Sequence, residues 1–485
     1  MKATQYPNDA LEGFNNLTHN ITDATATYNT VDRMVSYFGR VIYNYNDRYL
    51  LNVSLRRDGS SRFGRNNRWG TFPAFSAAWR ANNEAFWNKK WIVTDAKLRF
   101  SYGSNGSKSL PVGSANGTLT SNNYSSNGNI TTGYLPASLE NPDLTWQKTN
   151  SWDIAIDLGL MKNRISMSLD FYKKTITDML YKVSMPSDIG FASGYSNIGN
   201  IETKGLELEI KSNNLTGKLK WTTAFNMAYT KSIVKSLGNN NTIYCGFDGR
   251  TQVIEVGHRV GEFYLYDAVG VYQTKEDLEK YPKQTSSTLG SVRYRDVSGP
   301  DGKPDGKITE ADRIHAGHPS PDFTYGLTNT FRYKNFDFSF LITAQTGGKI
   351  FCALSRAIDR QGMGVTNNML KKYNNMWFSE DEPGDGKTPC AWNTQTAEEY
   401  STRWLYSTDF IKLKNITLGY TVPLKRGSFF SQIRINASVE NVFMIDKYDG
   451  GFSPESNNSG SLVNSYDYGA YPLARTFSLG VNFTL

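Results

Sequence analysis

"SWDIAIDLGLMKNRISMSLDFY", residues 151–172, is the stretch on which the fold turns. Trp152, Ile154, Ile156 and Leu158 alternate with Asp153, Ala155, Asp157 and Gly159. Past Lys162-Asn163, Ile165, Met167, Leu169 and Phe171 alternate with Ser166, Ser168, Asp170 and Tyr172. An extended chain points successive side chains to opposite faces, so each half reads as a strand with one apolar and one polar face. The short Lys-Asn link between them predicts an antiparallel hairpin.

The same period of two recurs outward from this hairpin. Leu219, Trp221, Thr223, Phe225, Met227 and Tyr229 form one face; Phe323, Tyr325, Leu327, Phe331 and Tyr333 form another. Phe336, Phe338, Phe340 and Ile342 follow a second Lys-Asn, and Phe477, Leu479, Val481, Phe483 and Leu485 end the chain. In "FIKLKNITLGYTV" the phase slips between Leu413 and Ile416, which predicts a β-bulge near Asn415. Thirteen strands result, at 36–46, 48–56, 70–80, 95–103, 146–160, 164–174, 202–212, 218–230, 322–333, 336–346, 408–421, 432–442 and 474–485.

Short links such as "ND" and "KN" alternate with long ones at 57–69, 175–201, 231–321 and 347–407. Sorting short turns to one end and long loops to the other is the habit of outer-membrane barrels, whose short turns are periplasmic. Composition agrees. Only 39% of the chain is hydrophobic while 13% is aromatic, as half-polar staves with interfacial aromatic girdles require. No run of about 18 apolar residues marks a membrane helix. The net charge of +8 is spread without a like-charge run, which argues against a nucleic-acid partner. Cys245, Cys352 and Cys390 are far apart and suggest neither a disulfide framework nor a metal site.

Orientation follows. With short turns periplasmic, the strand at 48–56 runs outward; Leu51, Val53 and Leu55 face lipid, and Asn52, Ser54 and Arg56 face the lumen. That strand would then leave the membrane, making "RRDGSSRFGRNNRWG" an exposed loop. The last strand runs inward, and an even strand number requires at least one more strand upstream. Residues 1–35 are expected to be the tail of an external loop, and 36–485 the C-terminal portion of a barrel with long external loops at 231–321 and 347–407. "MKATQYPNDALEGFNN" contains no apolar signal-peptide core.

Several phrases carry a family resemblance: "YLLNVSLRRDGSSRFG", "GTFPAFSAAWR", "NPDLTWQKTNSWDIAIDLGL", "GYSNIGNIETKGLELEI", "PSPDFTYGLTNTFRYKNFDFSF" and "FIKLKNITLGYTVP". In order, and over more than nine-tenths of the chain, they resemble the SusC/RagA family of TonB-linked outer-membrane proteins of Bacteroidetes. The resemblance implies an all-β antiparallel transmembrane β-barrel, here about 13 strands of 22, without the N-terminal plug. It also implies uptake of oligosaccharides or peptides, energy from TonB through the N-terminal region this chain lacks, a SusD-like lipoprotein lid and a cell outer membrane location. A β-rich surface adhesin and a non-functional barrel remnant are the rival readings. No Ser/His/Asp arrangement suggests an enzyme.

Local motifs are fewer. "DGKPDGKITEAD", residues 301–312, resembles an EF-hand-type loop, with Asp301, Asp305, Thr309 and Asp312 as Ca2+ ligands and Gly306 at the bend. Lys303 stands where an oxygen is expected, so Asp296 is an alternative first ligand, and an ion-free Asp-Gly turn is the competing reading. His315 and His318 read as loop histidines, and "GDG" at 384–386 as a turn. Glu207 and Glu209 read as lumen lining. Trp69, Trp79, Trp87, Trp91, Tyr244, Phe247, Tyr264 and Tyr266 are aromatic candidates for stacking on ligand in external loops, with interfacial anchoring or loop packing the favoured reading for most of them. Leu219 is expected on the lipid face near mid-membrane.

Overall fold

The computed structural model describes residues 31–485, apart from 89, 127, 185–189, 192, 239–241, 359–373, 391–399, 426–427 and 459–464. Most of the predicted tail at 1–35 therefore lies outside the described residues. Thirteen strands make one antiparallel sheet in chain order. They are β1 Met34–Tyr45, β2 Tyr49–Ser60, β3 Trp69–Arg80, β4 Val93–Ser107, β5 Gln147–Leu160, β6 Ile165–Thr177 and β7 Asn200–Thr216, then β8 Leu219–Ser236, β9 Phe323–Tyr333, β10 Phe336–Thr346, β11 Phe410–Val422, β12 Gln432–Asp446 and β13 Thr476–Thr484. No helix is long and apolar enough to cross a membrane among the described residues.

Register shows what the alternation is for. Directly opposed residues of an antiparallel pair share a face. One row across β8 to β13 reads Trp221, Phe331, Phe338, Leu418, Ala437 and Leu479. The adjacent row reads Thr222, Thr330, Ser339, Thr417, Ser438 and Ser478. The first is wholly apolar and the second wholly hydroxylic. The apolar row nevertheless leaves Leu418 half exposed and Leu479 78% exposed. A water-soluble sheet buries that face; a sheet whose solvent is hydrocarbon displays it.

The bulge is present. Leu341 pairs with Asn415 and Ile342 with Leu413, so Lys414 is the extra residue and restores Ile411 and Leu418 to one face. At the first hairpin, Asn46 and Asp47 adopt φ of 50° and 52°. Short polar side chains tolerate that region because they bond the local backbone, as the Asp47 amide does to Asn44 Oδ1 at 3.0 Å.

The chain divides into two compact units. The smaller comprises 1–79, 99–154 and 173–202. Its core is Phe63, Phe72, Leu110, Ala115, Leu144 and Trp146. Two of the family phrases meet here. The Gly64 amide donates to Leu144 O, Asn66 Nδ2 to Asp143 Oδ1, and Trp146 Nε1 to Arg68 O. A Cβ on Gly64 would lie 2.0 Å from Pro142 O, which is why glycine follows Phe63. This corrects the sequence reading in two respects. β2 continues to Ser60, with Asp58 buried under Arg56 at 2.8 Å. The basic segment that follows is pinned by Phe63, which a charge-based reading overlooks.

The larger unit comprises 80–98, 155–172 and 203–485. Its connections at 237–322, 347–409 and 447–475 fold into short strands and small cores of their own. The largest is built from Phe263, Leu265, Phe351, Ala353, Tyr400 and Trp404.

Candidate functional site

Period-two alternation continues in the outer connections at smaller scale. Gln252–Glu255 pairs with Thr242–Cys245 and with Glu262–Tyr266, which in turn pairs with Arg313–His315. Phe263 and Leu265 are fully buried, so Glu262 and Tyr264 take the opposite face. His315 lies opposite Tyr264 and joins them. Gly257 and Gly261, at φ of 91° and 71°, let residues 256–261 turn tightly enough to bring His258 back onto the same face.

Two imidazoles and two carboxylates converge there. The His258 and His315 rings stack with centroids 3.7 Å apart and planes within 10°. His258 Nδ1 lies 3.1 Å from Glu262 Oε2. His315 Nδ1 lies 2.8 Å from the same oxygen, an ion-pair contact off the line of a hydrogen bond. On the far edge, His315 Nε2 is 3.1 Å from Glu255 Oε2. Glu262 Oε1 accepts from the Arg259 amide at 3.1 Å. Burial opposes ionising Glu262, but His315, the Arg259 amide and His258 outweigh it and hold its carboxyl at about 2. The Glu262 carboxylate in turn raises His315 above the usual imidazole range. Tyr264 packs beside His315, and the half-exposed Tyr244 lies beside Tyr264.

Sequence reasoning missed Glu255, His258 and Glu262. His318, the histidine neighbouring His315 in sequence, is engaged elsewhere: its Nδ1 faces Ser320 O at 2.7 Å. The spacing Glu255, His258, Glu262 was visible in the sequence; the strand pairing that adds His315 was not. Nor is His315 in a loop, since it ends the short strand Arg313–His315.

The Asp-rich loop is arranged differently. Asp312 is fully buried. Its Oδ1 accepts from the Val297 and Ser298 amides and its Oδ2 from the Thr309 amide. Thr309 Oγ1 accepts from the Ala311 amide, completing a reciprocal cap with Asp312. Asp305 Oδ1 accepts from the Lys307 amide and Asp296 Oδ2 from the Gly306 amide. Asp301 is exposed. Among the described residues, these side chains do not form a three-member acidic cluster within ligand range; Glu255, His258 and His315 do.

The remaining candidates separate by location. Trp87 and Trp91 pack edge to face at 5.1 Å in the connection 81–92, and Trp79 ends β3 beside it. By strand parity this connection shares the end of the short links 46–48, 161–164 and 334–335, so these three are not external-loop residues. Trp69, at the other end of β3, stacks on Tyr37 at 6.0 Å. Phe247 packs among Phe351, Tyr400, Tyr466 and Tyr468, and Tyr266 is buried; both serve the loop core. Glu207 and Glu209 are exposed on the polar face of β7. Glu209 pairs with Lys211 at 2.6 Å and lines a cavity of about 450 Å³ with Asp95, Asp157 and Ser168. Gly384 and Gly386 take φ of 65° and 70° around Asp385, as a turn requires.

With this geometry in hand, the family model described as TonB dependent receptor-like, beta-barrel, matches residues 2–442. The chain belongs to the TonB-dependent receptor family. It is 31% identical to a TonB-dependent receptor of Formosa agariphila over 99% of its own length and 49% of that protein's. To the TonB-dependent receptor SusC of Bacteroides thetaiotaomicron it is 29% identical, over 99% of this chain and 45% of SusC. The chain thus spans about half the length of the curated relatives it matches. Among solved structures, the RagAB peptide importer in its open-open state is similar at TM-score 0.78 and 23% identity, covering 94% of this chain and 47% of that one. The RagAB peptide transporter gives TM-score 0.79 with 93% and 47% covered. These likenesses show the fold. This family comprises outer-membrane receptors and transporters, so the lipid-facing rows of this TonB-dependent receptor barrel have their solvent.

Proposed function

We propose that this chain supplies barrel wall and outer vestibule to a TonB-dependent importer of oligosaccharides or peptides that works with a SusD-like lipoprotein. The observation carrying this is the division of labour along each strand pair. Lipid-facing apolar rows end, at the long-loop side, in connections that build their own folded layer with exposed aromatics. Tyr244, Phe452, Tyr468 and Tyr471 are each more than half exposed there, and Tyr471 is 92% exposed. Aromatic side chains of this kind offer flat faces to sugar rings and peptide side chains at low entropic cost. The similar RagAB assemblies are a peptide importer and a peptide transporter, while the oligosaccharide reading rests on the resemblance of the sequence phrases to the SusC/RagA family.

The remaining parts of such an importer would come from sequence outside this chain: the other staves, the plug and the segment that contacts TonB. The test is a pull-down from outer membranes with an affinity tag in the 447–475 connection, followed by uptake of fluorescent oligosaccharide and peptide pools. A stoichiometric lipoprotein partner and TonB-dependent uptake of one pool are expected. Retention of both pools at the surface without entry, even with TonB present, would instead indicate an adhesin.

A further inference from the structure

We propose that Glu255, His258 and His315 bind a divalent transition-metal ion of the zinc class, with Glu262 orienting the two imidazoles. The proposal stands apart from the choice of cargo. One ligand atom from each of the three residues lies within 4.8 Å of the others. Two nitrogens bound tetrahedrally at about 2.0–2.1 Å from zinc are roughly 3.4 Å apart, so little contraction is needed. Two imidazoles and one carboxylate form a donor set suited to zinc and its neighbours and poorly suited to calcium or magnesium, which take oxygen alone.

The orientation of the rings carries the argument further. Both Nδ1 atoms face the single oxygen Glu262 Oε2, at 3.1 and 2.8 Å. The carboxylate accepts from His258 Nδ1, which puts that ring's proton on Nδ1 and leaves its Nε2 lone pair to a metal, while it meets His315 as an ion-pair contact. The rings are stacked nearly parallel, His315 Nε2 meets Glu255 Oε2 at 3.1 Å, and a ring nitrogen of His258 lies within 4.8 Å of the ligand atoms of both. Because imidazole lone pairs lie in the ring plane, binding one ion beside Glu255 requires the two stacked rings to splay apart. Three such ligands leave a fourth position for water or a ligand group.

The ligands come from the two strands that flank Glu262–Tyr266 and from the turn beside them: Glu255 ends Gln252–Glu255, His258 sits in the turn, and His315 ends Arg313–His315. A bound ion would staple residues 255–315 of the largest outer connection. Tyr264, next to His315, with Tyr244 beyond it, would stand beside the site.

The experiment uses the receptor carrying this chain, purified without a histidine tag, stripped with chelator and titrated with zinc chloride; cobalt reports the ligands by its visible spectrum. One ion per chain is expected. His258→Ala and His315→Ala should each weaken it by at least about 100-fold, and Glu262→Gln by about 10–100-fold, as for other residues that orient a metal-bound histidine. His318→Ala, outside the cluster, should leave binding unchanged. Binding that survives both alanine variants, or that follows His318, overturns the proposal. Should either variant misfold, X-ray absorption of the zinc-loaded wild type decides: two imidazole nitrogens and a carboxylate support it. An oxygen-only shell, or no stoichiometric binding, refutes it.

Discussion

Placing arginine at three positions separates face from depth. Leu327 lies between Phe225 and Ile342 on the apolar face, six residues above the β9 terminus at Tyr333. At about 3.4 Å per residue that is roughly 20 Å of strand. A tilt of about 35–45° makes it roughly 15 Å of height, close to the middle of an apolar band about 25 Å tall. Leu327→Arg should therefore cost about 2–4 kcal/mol. Leu219 shares the face but opens β8 beside the 217–218 turn and pairs with Tyr333. It sits at the interface, which corrects the mid-membrane position expected from its sequence, and its arginine should cost only about 0–1 kcal/mol. Thr328, next to Leu327, points to the polar face, so Thr328→Arg meets lumen water and should be as mild as Leu219→Arg. Urea unfolding of the receptor in lipid vesicles, followed by tryptophan emission, measures all three. Equal losses for Leu327→Arg and Thr328→Arg would refute the face assignment. A Leu219→Arg loss matching Leu327→Arg would refute the depth.

Burial opposes ionising Asp312, but amides of Thr309, Val297 and Ser298 outweigh it and hold its carboxyl below the ordinary 3.8. A lowered folded value means the stabilisation is complete above the ordinary range and lost as pH falls through the folded one. Proteolysis within 296–312, normalised to an unfolded control peptide cut at the same pH, should therefore rise only as pH falls below the ordinary carboxylate range. Asp312→Ala should open the loop at neutral pH, losing charge-assisted bonds of about 1.5–3 kcal/mol each. Because those oxygens already accept from amides, calcium chelation is expected to leave this loop's hydrogen exchange unchanged; calcium-dependent protection would give it the ion instead. Trp146→Ala empties the core that joins Phe63 to Phe72 and should cost about 3–5 kcal/mol in the same unfolding assay. Lys412, nearly buried, pairs with Glu455 at 2.6 Å. Glu455→Gln should destabilise more than Lys412→Met, because it strands a charge, yet by less than the ~3–5 kcal/mol of a fully buried pair, since Glu455 is one-third exposed. The reverse order would show that the ion pair is dispensable.

The staves were legible because each has to satisfy two solvents at once. Trp221 to Leu479 and Thr222 to Ser478 are adjacent rows of opposite chemistry, and no single strand can build them without alternating. Even the slip at Lys414 showed, since one extra residue inverts every face after it. Outside the membrane that constraint ends. Gln252–Glu255 and Arg313–His315 are too short to show a period, and both take Glu262–Tyr266, which carries the buried Phe263 and Leu265, as their partner. His315 reaches His258 only because it pairs with Tyr264 across a long intervening segment, and no local pattern announces that. The Asp-rich loop is ambiguous for a different reason: its ligand-like spacing is equally the spacing of side chains that cap their own backbone, as Asp312 does. Both kinds of site place oxygens where positive charge must be met, a cation in one and amide hydrogens in the other. Only which of the two reaches the carboxylates first distinguishes them, and that depends on the three-dimensional fold.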